Sequence, residues 1–213
     1  ASEASEFWRA IPDHPLARIQ GVQQLKWGDL NNDGCVDAVV MTSSIDLNSD
    51  EPKRTSKTSW YEQGTNDQWT ERSFGESLPE GAAVLALADL DHDGDVDLLV
   101  ADTTQDKTNH LRILYSRLDG TWQSVELPLD SKVRVSNAAI IDIDRDGDLD
   151  IIASMAQFAA SRAAVFVNDR LWSWTRDNKR YGTFESHSIM DAVAYSRNED
   201  GTPMLAAIEY NSY

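Results

Sequence analysis

The stretch Leu87–Ala101, "LADLDHDGDVDLLVA", places aspartates at every second position, Asp89, Asp91, Asp93, Asp95 and Asp97, and then runs into the apolar "LLVA". Carboxylates this close repel: a pair about 5 Å apart costs roughly 3 kcal/mol at an effective dielectric of 20. Several such pairs would open the loop unless a cation stood among them. In a tight loop the side chains at positions 1, 3 and 5 converge on one point. Glycine at position 6 allows the positive φ of a sharp turn, position 7 offers its backbone carbonyl, and position 9 returns a carboxylate. Hard oxygen donors at irregular angles suit Ca²⁺, whereas Mg²⁺ demands a stricter octahedron. The side-chain ligand positions hold no sulfur or imidazole, which speaks against zinc and copper.

The same pattern occurs twice more. "WGDLNNDGCVDAVVM" starts at Trp27 and "IIDIDRDGDLDIIAS" at Ile140, so three loops share D-h-[DN]-x-D-G-x-h-D with h apolar. The ligand sets expected for about three calcium ions are Asp29, Asn31, Asp33 and Asp37 with the carbonyl of Cys35; Asp89, Asp91, Asp93 and Asp97 with that of Asp95; and Asp142, Asp144, Asp146 and Asp150 with that of Asp148. These loops span 29–37, 89–97 and 142–150. A degenerate fourth, 196–204, has Ser196 and Met204 at its first and last positions and is expected to be empty. An EF-hand requires Glu at position 12 and flanking helices. Position 12 here is Val40, Val100 or Ala153, followed by strand-like sequence.

The loops recur at a spacing of roughly 50–60 residues, the signature of a repeat architecture. Between them lie "TSWYEQ" (58–63), "LRILYS" (111–116) and "AAVFVN" (163–168), then the aromatic-led "QWTERSF" (68–74), "TWQSVEL" (121–127) and "TFESHSI" (183–189). Short β-branched or aromatic runs bounded by turn residues read as strands, about four per repeat. "AQFAASRAAVF" (156–166) has the composition of a helical turn but falls where a loop and strand are due. The reading is an all-β, β-propeller-type repeat domain over 1–213, with about three complete four-stranded blades and partial ones at the ends. By this spacing one inner strand of about eight residues is expected to come from elsewhere, either a further segment or another chain in an oligomer.

These loops and strands resemble FG-GAP or VCBS repeats, the calcium-binding blades of integrin alpha-subunit-like β-propellers. The resemblance implies a loop joining the first two strands of each blade, made rigid by calcium. It also implies an extracellular, periplasmic or cell-surface setting, and a family that includes adhesion proteins, lectin-like modules and polysaccharide lyases.

Composition narrows the function. The net charge is −17, and 13 of the 36 acidic residues lie in the three loops. Nothing basic is available to displace counterions from nucleic acid. No apolar run reaches the ~20 residues of a membrane span, and "ASEASEFWRA" at the start does not read as a signal peptide. The single cysteine, Cys35, excludes an intramolecular disulfide. No catalytic motif stands out. His110, Arg112 and Tyr115 form the best lyase set that can be drawn, without spacing to single them out. His92 is expected to face solvent, and Trp60, Trp69 and Trp122 to lie in inter-blade core. Trp172 and Trp174, in the insertion "RLWSWTRDNKRYG", are the candidate binding surface. The resulting expectation is a calcium-stabilised module for carbohydrate or protein recognition, with a polysaccharide lyase as the alternative and no catalytic residue assigned.

Overall fold

The computed structural model describes residues 14–46, 53–64, 68–74, 78, 81–103, 108–117, 120–129, 133–157, 160–170, 173–177, 185–186, 189–197 and 203–210. Among these the fold is all-β, apart from one 3-10 turn at Pro15–Arg18. The first sheet orders β1 (Val22–Gly28), β2 (Asp37–Asp46), β3 (Lys53–Gln63) and β4 (Trp69–Arg72). The second orders β5 (Ala83–Ala88), β6 (Asp97–Thr103), β7 (Asn109–Ser116) and β8 (Trp122–Glu126). The third contains β9 (Arg134–Ile141), β10 (Asp150–Gln157), β11 (Ala160–Asn168) and β12 (Trp174–Arg176), with β13 (Glu185–Ser186) also paired to β11. A two-stranded sheet, β14 (Ile189–Arg197) and β15 (Pro203–Tyr210), follows. All pairings are antiparallel meanders. Inner strands neighbour one another in sequence order: β1 lies by β5, β5 by β9 and β9 by β14. This is the radial arrangement of a partial propeller.

The apolar runs after each acidic loop are explained by burial on both faces. Leu98, Val100 and Leu114 pack toward the first sheet, against Leu30, Val39, Phe74 and Ala82. The alternate residues Leu99, Leu111, Ile113 and Tyr115 pack toward the third, against Val135, Ile151, Ala153 and Phe166. Trp60, Phe74 and Trp122 fill the outer part of the first junction, with ring centroids 5.3–6.4 Å apart. Trp60 and Trp122 are therefore inter-blade core, as expected.

Two features depart from the sequence reading. Each innermost strand slips register against its neighbour: β1 between Val22 and Gln24, β5 between Val84 and Ala86, β9 opposite Ser154/Met155, and β14 between Met190 and Ala192. Such bulges add twist, and their recurrence makes them part of the repeat. The outer edge of the third blade is also shared by two segments, β12 and, from "TFESHSI", the described pair Glu185–Ser186. β12, from the insertion, pairs with Phe166–Asn168, while Glu185 and Ser186 pair with Arg162 and Ser161. The 156–166 segment is strand on both sides of residues 158–159, so the helical option falls away.

Phe166 is fully buried between the second and third blades. Phe166→Ala should cost about 3–5 kcal/mol, read as a lower denaturant midpoint with an unchanged slope.

Candidate metal centre

Each acidic loop joins the first two strands of its sheet, and each is built the same way. The glycines at position 6, Gly34, Gly94 and Gly147, have φ of 85°, 96° and 96°. A Cβ added there would meet nothing within 4 Å, so backbone conformation, not space, requires glycine. Position 4 is also left-handed, with φ of 56° at Asn32, 60° at His92 and 67° at Arg145. Sequence reading missed this second bend; Asn32 and His92 are of types enriched in that region, and Arg145 is not.

The side chains at positions 1, 3 and 5 turn inward onto backbone N–H groups. Asp29 accepts from Asp33 N at 3.1 Å and from Gly34 N at 2.8 Å, and Asp89 Oδ2 accepts from Gly94 N at 3.1 Å. Asp142 accepts from Arg145 N at 2.6 Å. Asn31, Asp91 and Asp144 each accept from the N–H two residues on, at 3.3–3.4 Å. Asp33, Asp93 and Asp146 do likewise at 2.8–3.0 Å. Donation from Cys35 N holds the Asp33 carboxyl below its ordinary pKa.

Position 9 is different. Asp37, Asp97 and Asp150 are fully buried. One oxygen of each accepts the position-2 N–H, from Leu30 at 3.1 Å, Leu90 at 2.7 Å and Ile143 at 2.7 Å. The other accepts from the end of the third strand, Gln63 N at 2.8 Å, Ser116 N at 2.9 Å and Asn168 N at 2.9 Å. Burial pushes Asp97 up to about 7, helped by the charges of Asp91 and Asp93 and opposed by the two N–H donors. Asp150 is pushed up to about 6 by the same causes, and Asp37 is raised too.

In two of the loops three carboxylates converge, without Asp93 in the second and without Asp150 in the third. Asp89, Asp91 and Asp97 each bring one oxygen within 4.8 Å of the others, and so do Asp142, Asp144 and Asp146. Asp89 Oδ1 is buried with no hydrogen-bond partner, a group that a cation would satisfy. Among the described residues the first loop forms no such carboxylate trio: Asn31 stands in it, with Nδ2 on Asp33 Oδ2 (3.1 Å) and Glu62 Oε1 (2.9 Å). An oxygen-only donor set with an orphaned buried carboxylate oxygen fits a hard divalent cation.

Position 7 carries side chains that reach sideways. Asp95 accepts from Asn32 Nδ2 at 3.4 Å, across the first junction. Asp148 pairs with Arg170 Nε and lies 3.6 Å from His92 Nε2, across the second. His92 is half-exposed and leans on the next blade, so it does not simply face solvent. Cys35 is a free thiol, raised first by partial burial and then by Asp33, Asp29 and Asp37, which disfavours a reactive thiolate.

The residues singled out for catalysis do not assemble. His110 Nδ1 pairs with Glu126 at 2.8 Å, and Arg112 stands 3.4 Å from buried Asp102. Tyr115 points to the opposite face of β7, is 1 % exposed and accepts from Trp174 Nε1 at 3.0 Å. Trp174 is thus half-buried, with its indole N–H held by Tyr115 and its ring packed against the core. Trp172, His187 and the loop residues Asp200 and Gly201 lie outside the described residues, while Ser196 and Met204 pair across β14–β15.

Residues 89–153 match the FG-GAP-like repeat. The chain carries an FG-GAP-like repeat. In structure it is similar to an exotype rhamnogalacturonan lyase, YesX, with a TM-score of 0.53 and 12 % identity over 87 % of this chain. At that identity the likeness is one of fold, and it spans only 38 % of the lyase chain. No curated protein matches the chain significantly in sequence. The FG-GAP match covers the second acidic loop, β6 to β9 and the third loop, and the first loop repeats the same geometry.

A buried carboxyl with a raised pKa binds its proton more tightly folded than unfolded, where the value is about 4. In calcium-free solution the contribution of Asp97 is therefore complete below about pH 4 and is lost as pH rises through about 7. Thermal melts of the chelated protein should show a higher melting temperature near pH 5 than near pH 7.5, flattening above. Asp97→Asn should remove part of that slope.

Proposed function

We propose that the chain is a calcium-stabilised recognition or structural module working outside the cytoplasm, organised as one repeat domain over 1–213. The observation that supports it is the second loop, where three carboxylates meet and Asp89 Oδ1 is buried without a partner. Asp29, Asn31, Asp33 and Asp37, with the Cys35 carbonyl, would hold one ion. Asp89, Asp91, Asp93 and Asp97, with the Asp95 carbonyl, would hold a second. Asp142, Asp144, Asp146 and Asp150, with the Asp148 carbonyl, would hold a third. Calcium would supply charge neutralisation and stiffness to turns that otherwise repel themselves. Millimolar calcium outside cells fills sites of ~10⁻⁴–10⁻³ M affinity, and this setting suits an acidic carbohydrate- or protein-binding scaffold. No helix among the described residues is long and apolar enough to cross a membrane.

A second reading is that further blades, from this chain or another, cover the first sheet. Trp27 is 52 % exposed and Val36 51 %. Their counterparts Leu87 and Val96 pack onto the preceding blade, with atoms 3.1 and 3.6 Å from a Cβ built on Gly28. A lyase activity is the alternative by analogy with the structural neighbour; among the described residues His110 and Arg112 stand on one face of β7 and Tyr115 on the other.

Chelation should lower the melting temperature, and excess calcium should restore it. Saturation at about 100 Kd adds roughly 2.7 kcal/mol per site, so Asp91→Ala should remove one site's share in calcium and little in chelator. No chelator effect would sink the reading. Incubation with acidic polysaccharides should give no rise in ultraviolet absorbance; a rise would favour the lyase.

A further inference from the structure

We propose that Asn168 is a positioning residue that links the second and third acidic loops, so that a cation held by one favours a cation in the other. This rests on the calcium reading above and adds to it a specific partnership between two of the three sites.

The geometry begins with a buried side chain that belongs to neither loop. Asn168 ends β11, is 4 % exposed, and sends Nδ2 across the blade junction to Leu90 O at 2.9 Å. The same amide reaches Leu149 O, next to Asp150, at 3.3 Å. Leu90 is position 2 of the second loop, and Leu149 is position 8 of the third. Asn168 Oδ1 accepts from Arg170 N at 3.2 Å, which fixes the amide so that Nδ2 is the group facing both loops.

Each end of this bridge is tied to a position-9 carboxylate. Leu90 N donates to Asp97 Oδ2 at 2.7 Å, and Asn168 N donates to Asp150 Oδ1 at 2.9 Å. Asp150 Oδ2 then holds Ile143 N at 2.7 Å, inside the third loop. A continuous buried path thus runs from Asp97 through Leu90 and Asn168 to Asp150 and Ile143. Buried hydrogen bonds of this kind tolerate little misalignment, because a group pulled out of register in a dry site loses a bond that water does not replace. A cation that draws Asp97 and the start of the second loop together fixes where Leu90 O points. That position in turn fixes Asn168 and the Asp150 carboxylate. The reverse holds equally, as linkage requires.

The first junction lacks the bridge. Ser116 occupies the place of Asn168, and its backbone N–H makes the same bond to Asp97 Oδ1. The first two loops meet instead through the longer Asn32 Nδ2 to Asp95 Oδ1 bond at 3.4 Å. Asn168→Ser therefore installs a residue that the neighbouring blade already accommodates, while removing the reach to Leu90 O.

The test counts calcium ions on the intact chain by native mass spectrometry, after Asp29→Asn with Asp33→Asn has disabled the first loop. Independent equal sites would leave about half the molecules with one ion at half-saturation. With Asn168 in place, molecules with no ion and with two should dominate, and the second ion should bind ~5-fold or more tightly than the first after statistical correction. Asn168→Ser should bring the one-ion species back to the independent level. A one-ion population near half in the protein that retains Asn168 overturns the inference whether or not the serine variant folds. So does cooperativity that survives Asn168→Ser. Binding of no ion at millimolar calcium fails the calcium reading itself, an outcome distinct from binding without coupling.

Discussion

Asp97 holds the backbone of its blade at two points at once. One oxygen accepts Leu90 N at the start of the acidic loop, and the other accepts Ser116 N at the end of the third strand. Asp37 and Asp150 repeat both bonds in their own blades. A buried carboxylate with both oxygens used in this way fixes where the loop begins, how the second strand leaves it and where the third strand stops. In the second loop Asp89 and Asp91 converge beside this anchor. The cost is visible in the protonation of Asp97, which burial displaces to about 7. An anchor that is uncomfortable when charged and alone is one that a nearby dication would stabilise.

The sheets are then stacked by apolar contact. The second blade illustrates the logic: Leu98 and Val100 serve one junction, Leu99 and Ile113 the other. A strand buried on both faces needs no polar alternation, which is why the sequence after each acidic loop reads as unbroken hydrophobicity. The acidic loops and the apolar strands are thus two parts of one device. The first sets chain direction at the rim of each blade, and the second joins blade to blade.

Much of this was legible in the residues. Gly34, Gly94 and Gly147 stand where left-handed backbone is required, the aspartates sit at converging positions, and the apolar runs begin where the second strands begin. Trp60 and Trp122, on the third and fourth strands of their blades, lie in the core as expected, whereas Trp69, the counterpart of Trp122, packs edge-on to His14 and Trp27 beside the exposed side of the first sheet. What stayed hidden was set by neighbours far away in sequence. Asp95 reaches Asn32 and Asp148 reaches His92 on the preceding blade, and Asp148 also pairs with Arg170 beyond the third strand of its own. The bridge from Asn168 to Leu90 spans two repeats, and no local pattern marks it. Trp174 looked exposed because its insertion is locally basic, yet its indole N–H is taken by Tyr115. The left-handed position 4 carries Asn, His and Arg in the three loops, so composition gave no common signal. The recurring bulges of the inner strands leave no glycine mark either.

The central claim is that three loops of one design each hold a calcium ion, and equilibrium dialysis against labelled calcium measures this directly. The account predicts about three ions per chain at saturating millimolar calcium, falling by one when Asp29, Asp89 or Asp142 is changed to Asn. A stoichiometry of zero, or one that none of these substitutions lowers, would contradict it.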